Sequence, residues 1–228
     1  MPAHRKLALK PRKQPRQARA QATVDALFEA TIQVLLTDGL PRLTTIRVAE
    51  RAGASVGTLY QYYPHKQALL FAVLQRHLSR IGEAVRQAAA SAHHTSLATM
   101  VSTLIAAFVR AKTERLDEAS VLYAVAAELD SRELIRETGR RTRAVLAAML
   151  ETATDAKFDD LDTVVFMLAG AMAGLTRSVV ETGAPPKMVR ALRDHLQSVC
   201  LGYLEREARP RSLKSTVGKG RQPQQISS

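Results

Sequence analysis

The side chains best placed to do chemistry lie on a short segment near the N-terminus, residues 55–63. At helical spacing one side of it is apolar or aromatic and comprises Val56, Leu59, Tyr60 and Tyr63. The other side carries small and hydrogen-bonding residues, namely Gly57, Thr58, Gln61 and Tyr62. The pattern predicts a helix that anchors through its first side and leaves the second free to read a partner molecule.

The residues around this segment predict a helix-turn-helix. A preceding short helix is expected over residues 46–52, with Ile46, Ala49 and Ala52 on one side and Thr45 as its N-cap. Gly53 ends that helix and Ser55 caps the next one, which gives a helix, a short turn with glycine and a second helix. Pro64 stops the second helix because it has no N–H and disfavours helical geometry at Tyr63.

Cationic charge is concentrated at the two ends of the chain. Of a formal net charge of +12, residues 1–20 carry +7 and residues 206–228 carry +5, so residues 21–205 carry no net charge. Basic arms favour a polyanion, because each neutralised phosphate releases condensed counterions. Nucleic acid is therefore the expected partner, and the alternative is that the arms are merely solubilising, disordered tails.

Catalytic and metal sites are not recognisable. The single cysteine, Cys200, excludes an intramolecular disulfide and fits a reducing cytoplasm, either as a packing residue or as a redox switch. His93 and His94 lack a neighbouring carboxylate or thiol, and His77 on an apolar stripe is expected to be a core histidine. No phosphate loop or nucleophile motif is present, so we expect no enzyme activity, cofactor or metal.

The chain is expected to be all-α, because apolar residues recur at spacings of three and four. A first amphipathic helix is predicted over residues 16–38, with Gly39 at its C-terminus. Further helices are predicted over residues 65–90, 97–111, 118–129, 131–153 and 162–182, and a last one reaching residue 206. The longest apolar run, residues 164–175, is too short for a membrane span of roughly 20 residues, so the protein is expected to be soluble.

The last two helices are the candidates for self-association. The first of them is apolar around its whole circumference, so other groups must cover it on all sides. In a chain of this size, a second subunit can provide that cover. Gly170 and Gly174 would allow close helix approach, or would pack only within one subunit. The dimer interface predicted from both helices consists of Gly170, Gly174, Leu192, Leu196, Val199 and Tyr203.

The stretch TTIRVAERAGASVGTLYQYYPHKQALL, residues 44–70, closely resembles the DNA-binding motif of the TetR/AcrR family of bacterial regulators. The resemblance covers about residues 20–72; beyond it only the number and length of the helices are similar. It implies an N-terminal three-helix DNA-binding domain and a C-terminal six-helix ligand-binding and dimerisation domain. It also implies a homodimer joined by a four-helix bundle from the last two helices of each chain.

When the family's DNA-contacting positions are carried over to this sequence, the resemblance implies contacts to duplex DNA. Thr45 and Lys66 would bind phosphates, while Ser55, Val56, Gly57, Thr58, Tyr60, Gln61 and Tyr62 would lie along the major groove. Gln61 can pair with adenine, and Tyr60 has packing as an equal alternative. Val56 departs from the polar or cationic residue common in the family, which leaves an apolar contact to a thymine methyl. The N-terminal arm would enter the minor groove.

The resemblance also implies a cavity for a small, largely apolar ligand. Bulky candidates to line it are Met100, Leu104, Phe108, Tyr123, Met149 and Met167, with Glu128 and Arg177 to orient a polar group. The alternative is that the apolar residues are ordinary core and the two charged residues are exposed.

Together these features predict a cytoplasmic repressor that a ligand releases from its operator. The expected organisation is a basic arm (residues 1–18), a DNA-binding domain (19–66), a regulatory domain (67–207) and a basic tail (208–228). The alternatives are an activator or ligand-independent regulator of the same fold, and a non-specific nucleic-acid-binding protein driven by its tails.

Overall fold

The computed structural model describes residues 18–210, and within them the chain is almost entirely helical. The α-helices are α1 (Ala18–Asp38), α2 (Thr45–Arg51), α3 (Val56–Tyr62), α4 (Lys66–Ala92), α5 (Leu97–Thr113), α6 (Leu116–Glu128), α7 (Arg132–Leu150), α8 (Leu161–Glu181) and α9 (Pro186–Glu207). A 3₁₀ turn (Leu40–Arg42) follows α1. Two short strands, β1 (Ala156–Lys157) and β2 (Arg209–Pro210), pair antiparallel. The predicted all-α fold is confirmed; both basic arms fall mostly outside the described residues.

The first three helices pack into one hydrophobic cluster with the start of α4. Leu27 of α1, Val48 of α2 and Leu59 of α3 are fully buried in it. Helix α1 ends where Gly39 adopts a φ of +76°, and the Gly39 N–H donates to the Leu35 carbonyl over 3.1 Å. A left-handed conformation is costly for any residue with a Cβ, so the predicted glycine stop is confirmed.

The helix-turn-helix forms as predicted, with one residue displaced. Thr44, and not Thr45, is the N-cap of α2: its backbone is extended and its side chain accepts a hydrogen bond from the Arg47 N–H. Ile46, expected on the buried side, is 55% exposed. Gly53 in the turn has a φ of +63°, and Ser55 caps α3 by accepting from the Thr58 N–H over 3.0 Å.

Helix α4 joins the two halves of the molecule because its two ends belong to different cores. Leu69 and Leu70 pack with the N-terminal cluster, whereas Ile81 and Val85 pack with a larger cluster built by α5, α7, α8 and α9. Helix α6 also reaches the N-terminal cluster, through Leu122 and Val125. The N-terminal half is therefore packed directly on α6, a helix of the C-terminal half, and the predicted domain boundary at residues 66–67 stays a prediction.

The C-terminal helices differ from prediction mainly in which faces are buried. Ser131 begins α7 but does not cap it through its side chain; its hydroxyl donates instead to the Ala126 carbonyl over 2.7 Å, at the end of α6. Helix α8 has 21 residues and a mean hydropathy of 1.6, so by length and composition it could cross a membrane. The longest apolar run alone did not reveal this property, because single polar residues interrupt the helix.

The displaced cap gives a direct test of the helix-turn-helix geometry. Replacing Thr44 with Ala should lower the free energy of unfolding by about 1 kcal/mol, because the Arg47 N–H loses its acceptor. Thr45→Ala is the matched control and should cost less, since the Thr45 hydroxyl caps no backbone group. Denaturant titration of both variants measures the difference, and a larger loss in Thr45→Ala would contradict the cap assignment.

Candidate nucleic-acid interface and internal cavity

The outward side of α3 presents a small hydrogen-bonding surface. Gly57 and Gln61 are exposed and Thr58 is partly exposed, as predicted for the side facing away from the core. The hydroxyls of Ser55 and Thr58 lie 2.8 Å apart, so the Ser55 cap also orients the Thr58 side chain. A Cβ at Gly57 would meet only Ser55 Oγ, at 3.7 Å, which leaves the α3 backbone there open to close approach.

Tyr60 belongs to this surface and Tyr62 does not. The Tyr60 ring is 41% exposed, and its hydroxyl lies 3.0 Å from the Thr45 hydroxyl, which joins the start of α2 to α3. Tyr62 is only 7% exposed and packs beside Tyr63. The predicted outward position of Tyr62 is therefore wrong: residues 59, 62 and 63 follow helical spacing and form the buried side.

Lys66 lies at the first turn of α4, where its predicted phosphate contact would be made. It is partly exposed, and the preceding residue, His65, caps the helix by accepting from the Ala68 N–H over 3.1 Å. Val56 is partly buried at the start of α3. The structure brings Thr45, Thr58, Tyr60 and Gln61 to two adjoining short helices, with their hydroxyl and amide groups available to a partner.

A cavity of about 410 Å³, partly open to solvent past the exposed side chains of Ile135 and Arg177, lies between α4, α5, α6, α7 and α8. Two of the predicted lining residues, Tyr123 and Arg177, do line it. The others that line it were not predicted from the sequence: Leu74, His77, Leu78, Lys112, Ala119, Leu122, Ala126, Ala127, Ile135, Ala173 and Gly174. A volume of this size fits a small organic ligand.

The remaining predicted lining residues lie elsewhere. Met100, Leu104 and Met149 are fully buried in the C-terminal core, because their sides of α5 and α7 pack on other helices. Met167 and Glu128 are exposed on the outer surface. Phe108 lines a second cavity of about 180 Å³, which shares Leu78, Lys112, Ile135 and Ala173 with the first.

Lys112 is the most unusual group in the cavity wall. It is 9% exposed, its Nζ donates to the Tyr123 hydroxyl over 3.1 Å, and it lies 5.1 Å from the Tyr123 ring centroid. Arg177 lies over the same ring at 5.4 Å and pairs with Glu181 over 2.8 Å. Burial, with a smaller contribution from Arg177, lowers the pKa of Lys112 from 10.5 to about 8. The sequence did not indicate this site because a lysine near a helix end is usually solvated.

A network of charged groups connects the cavity wall to the N-terminal helix. His77 Nδ1 lies 3.2 Å from a carboxylate oxygen of the buried Glu118, which confirms His77 as a core histidine with a partner. Arg115 lies 2.9 Å from Glu118 and 2.9 Å from Glu29 on α1. Burial alone would raise the pKa of Glu118, but the hydrogen bond from His77 and the charges of Arg115 and Arg80 lower it overall.

The predicted dimer residues divide between the core and the surface. Leu192 and Leu196 are buried in the C-terminal core of their own chain, so they offer a partner little surface. Gly170 and Gly174 are exposed and nothing lies within 4 Å of a Cβ built on them. Val199 is exposed, and Tyr203 is partly buried. Phe166, which the sequence analysis did not single out, is 60% exposed on the same side of α8 as Gly170.

Cys200 and the pair His93–His94 lie in different surroundings, the first in the core and the second where α4 ends. Cys200 is buried, and burial raises the pKa of its thiol to about 11, which fits a packing residue. Across residues 18–210, no three His, Cys, Asp or Glu side chains are grouped so as to hold a metal ion.

Two family models match the chain. A model described as bacterial regulatory proteins of the tetR family matches residues 27–73, which span most of α1 to the first part of α4. A model described as a tetracyclin repressor-like C-terminal domain matches residues 96–204. The first match contains the whole helix-turn-helix, and the second contains most of the larger core.

Curated relatives match over part of the chain. The HTH-type transcriptional repressor KstR of Mycolicibacterium smegmatis is 38% identical over 63 residues, or 28% of this chain and 31% of the relative. KstR of Mycobacterium tuberculosis is 40% identical over 55 residues, or 24% of this chain and 25% of the relative. The chain thus matches less than a third of the length of these relatives.

Solved structures share the fold at low sequence identity. A TetR transcription regulator from Haloarcula marismortui has a TM-score of 0.65 at 17% identity, covering 83% of this chain and 100% of that one. A putative TetR-family regulator from Mesorhizobium loti has a TM-score of 0.62 at 17% identity, with 83% and 98% covered. The fatty acid degradation regulator FadR of Bacillus halodurans has a TM-score of 0.61 at 16% identity, with 78% and 97% covered.

The lowered pKa of Lys112 predicts how stability depends on pH. Between pH 8 and 10.5 the unfolded chain holds the Lys112 proton while the folded chain has released it, so the free energy of unfolding rises with pH across this window. The penalty at neutral pH is roughly 3 kcal/mol, from about two and a half pKa units. Lys112→Met should therefore be more stable than the unmodified chain near neutral pH.

Urea denaturation near neutral pH and near pH 10.5 measures this effect. Lys157→Met, at an exposed lysine, is the matched control and should leave the pH dependence unchanged. A stability difference between Lys112→Met and the unmodified chain that stays constant across both pH values would contradict the lowered pKa.

Proposed function

Because the chain belongs to the TetR family of bacterial regulatory proteins, whose members are DNA-binding transcriptional regulators, we propose that it is a repressor that a small molecule releases from its operator. The observation that carries the proposal is the capped helix α3, which packs through Leu59 and Tyr62 and leaves Thr58 and Gln61 outward. The proposed action as a repressor draws on KstR, a transcriptional repressor that is 38% identical to this chain over 63 residues. Such a protein acts on DNA in the cytoplasm.

The proposed DNA contacts follow from the chemistry of the α3 surface. Gln61 can form two hydrogen bonds with an adenine edge, and Thr58 can bond a base or a phosphate. Thr45 and Tyr60 present hydroxyls side by side at the start of α2, where the helix N-terminus favours a phosphate oxygen. Lys66 adds a cation at the start of α4, and Val56 can contact a thymine methyl.

The proposed dimer buries the outer face of α8 and α9. Exposed apolar and small residues on these helices make a continuous strip against which a second copy can pack, namely Phe166, Met167, Gly170, Gly174, Met188, Val199 and Gly202. The two glycines of α8 allow its backbone to approach the partner closely. A partner subunit thereby explains why α8 is apolar enough for a membrane yet belongs to a protein that binds DNA.

The 410 Å³ cavity is the proposed ligand site, and its wall reaches the DNA-binding half. Leu122 of α6 contributes both to the cavity wall and to the N-terminal core, and Arg115 at the start of α6 pairs with Glu29 of α1. A ligand that displaces α6 would therefore shift α1 and change the spacing of the two α3 helices in a dimer. To release the operator, the ligand must bind that altered state more tightly than the DNA-bound state.

The first test of this function is whether α3 recognises a specific DNA sequence. Gln61→Ala should lower affinity for the operator by about 1 to 3 kcal/mol while leaving binding to unrelated duplex unchanged, because a base contact is lost. Gln75→Ala, at an exposed glutamine of α4, is the control and should bind like the unmodified chain. Fluorescence anisotropy with operator and scrambled duplexes measures both affinities.

Deletion of residues 1–17 and 211–228 distinguishes a sequence-specific DNA-binding protein from one that binds DNA non-specifically through its basic tails. A regulator that reads through α3 keeps its preference for the operator over scrambled duplex after the deletion. Loss of all discrimination in the truncated chain would contradict the proposal.

Disruption of the α8 and α9 strip gives the second test. Met167→Glu and Gly170→Glu should convert the dimer to a monomer at micromolar concentration, because each places an unpaired charge in the apolar contact. Leu36→Glu, at an exposed leucine of α1, is the matched control and should stay dimeric. Sedimentation equilibrium measures the molecular mass, and dimers that persist in both strip variants would show that the interface lies elsewhere.

A further inference from the structure

Lys112 brings a buried positive charge to the cavity without a carboxylate to balance it. Among the described residues that line the cavity, none is Asp or Glu, and the other cationic group, Arg177, repels Lys112. The partner of Lys112 is the neutral Tyr123 hydroxyl, 3.1 Å away. An ammonium group held this way has lost much of its hydration and has gained only one neutral acceptor.

The hydrogen-bond donors of this part of the cavity wall come from Lys112 and Tyr123, with Arg177 beside them. Because the Tyr123 hydroxyl accepts its hydrogen bond from Lys112, its own proton stays free to be donated to a second acceptor. Arg177 lies over the other part of the Tyr123 ring, and its charge is shared with Glu181 outside the cavity wall. One carboxylate, placed beside Lys112 and Tyr123, would receive two hydrogen bonds and neutralise the buried ammonium.

The rest of the space is lined mainly by apolar side chains. The second cavity, of about 180 Å³, shares Leu78, Lys112, Ile135 and Ala173 with the first and continues along α4 to Ile81 and Val85. Lys112 stands where the two cavities meet. A ligand with its anionic end at Lys112 can thus extend an aliphatic body against the apolar walls and bury it from water.

We propose that the cavity binds a monocarboxylate with an unbranched or weakly branched aliphatic body, held by Lys112 and Tyr123. This inference rests on the proposed function, since it specifies the ligand class of the proposed regulatory site. A single ammonium with one phenol suits one negative charge, and it offers too few donors for a doubly charged phosphate. A cationic ligand is disfavoured because it would face Lys112 and Arg177.

Three probes with the same alkyl chain but different end groups, namely a carboxylate, an alcohol and an amine, test the proposal on the unmodified chain. Decanoate should bind at least about tenfold more tightly than decan-1-ol, because the charged hydrogen bonds are absent in the alcohol. Decylamine should bind more weakly than either. Isothermal titration calorimetry measures the three affinities. Equal affinity for decanoate and decan-1-ol, or preferential binding of decylamine, would overturn the proposal.

Variants then locate the anion site. Lys112→Met should lose the preference for decanoate over decan-1-ol while still binding the alcohol, and Lys112→Arg should restore part of the preference. Lys157→Met is the matched control and should behave like the unmodified chain. Thermal denaturation confirms that each variant is folded, and an unchanged decanoate affinity in folded Lys112→Met would overturn the assignment.

Operator binding without any probe distinguishes this inference from the proposed function. A chain that binds its operator specifically but prefers no carboxylate disproves the ligand class and leaves the regulator intact. A chain that binds decanoate through Lys112 but shows no sequence preference on DNA supports the anion site and disproves the repressor.

Discussion

Burial of one side of helix α3 is the constraint on which the rest of the molecule depends. Leu59 and Tyr62 are held in a core made with α1, α2 and the start of α4, so the seven-residue helix has a single orientation. An isolated helix of this length is not stable in water, and its conformation comes from this packing and from the Ser55 cap. The same contacts decide that Thr58 and Gln61 stay outside, where they can meet another molecule.

Helix α4 connects this packing to the C-terminal half. Because its first turns belong to the N-terminal core and its later turns to the C-terminal core, a displacement of one core must be accommodated by the other. The connection is reinforced where Arg115 at the start of α6 pairs with Glu29 on α1. The cavity wall includes residues of both α4 and α6, so whatever fills it acts on the two helices that hold the N-terminal half.

The sequence predicted helix ends well because single residues determine them. Gly39 and Gly53 adopt positive φ and Pro64 cannot continue a helix, and each of these effects is local. The sequence did not predict the N-cap of α2 correctly, because Thr44 and Thr45 have the same chemistry. Only the extended backbone at Thr44 makes that residue the cap. In the short helix α3, the sequence pattern placed Tyr60 on the packed side and Tyr62 on the outward side. The structure shows the reverse. The burial of Lys112 depends on α6 and α8, which lie far along the chain and leave no local pattern.

In the proposed dimer, α3 and its copy in the second subunit bind duplex DNA together. This arrangement can be tested by selecting the sequences that the full-length chain binds from a pool of random duplexes. We expect enrichment of an inverted repeat, with half-sites about one helical turn apart or a multiple of it, because two α3 helices related by a twofold axis meet successive major grooves. Recovery of duplexes with no shared sequence, or of a single unrepeated site, would contradict it.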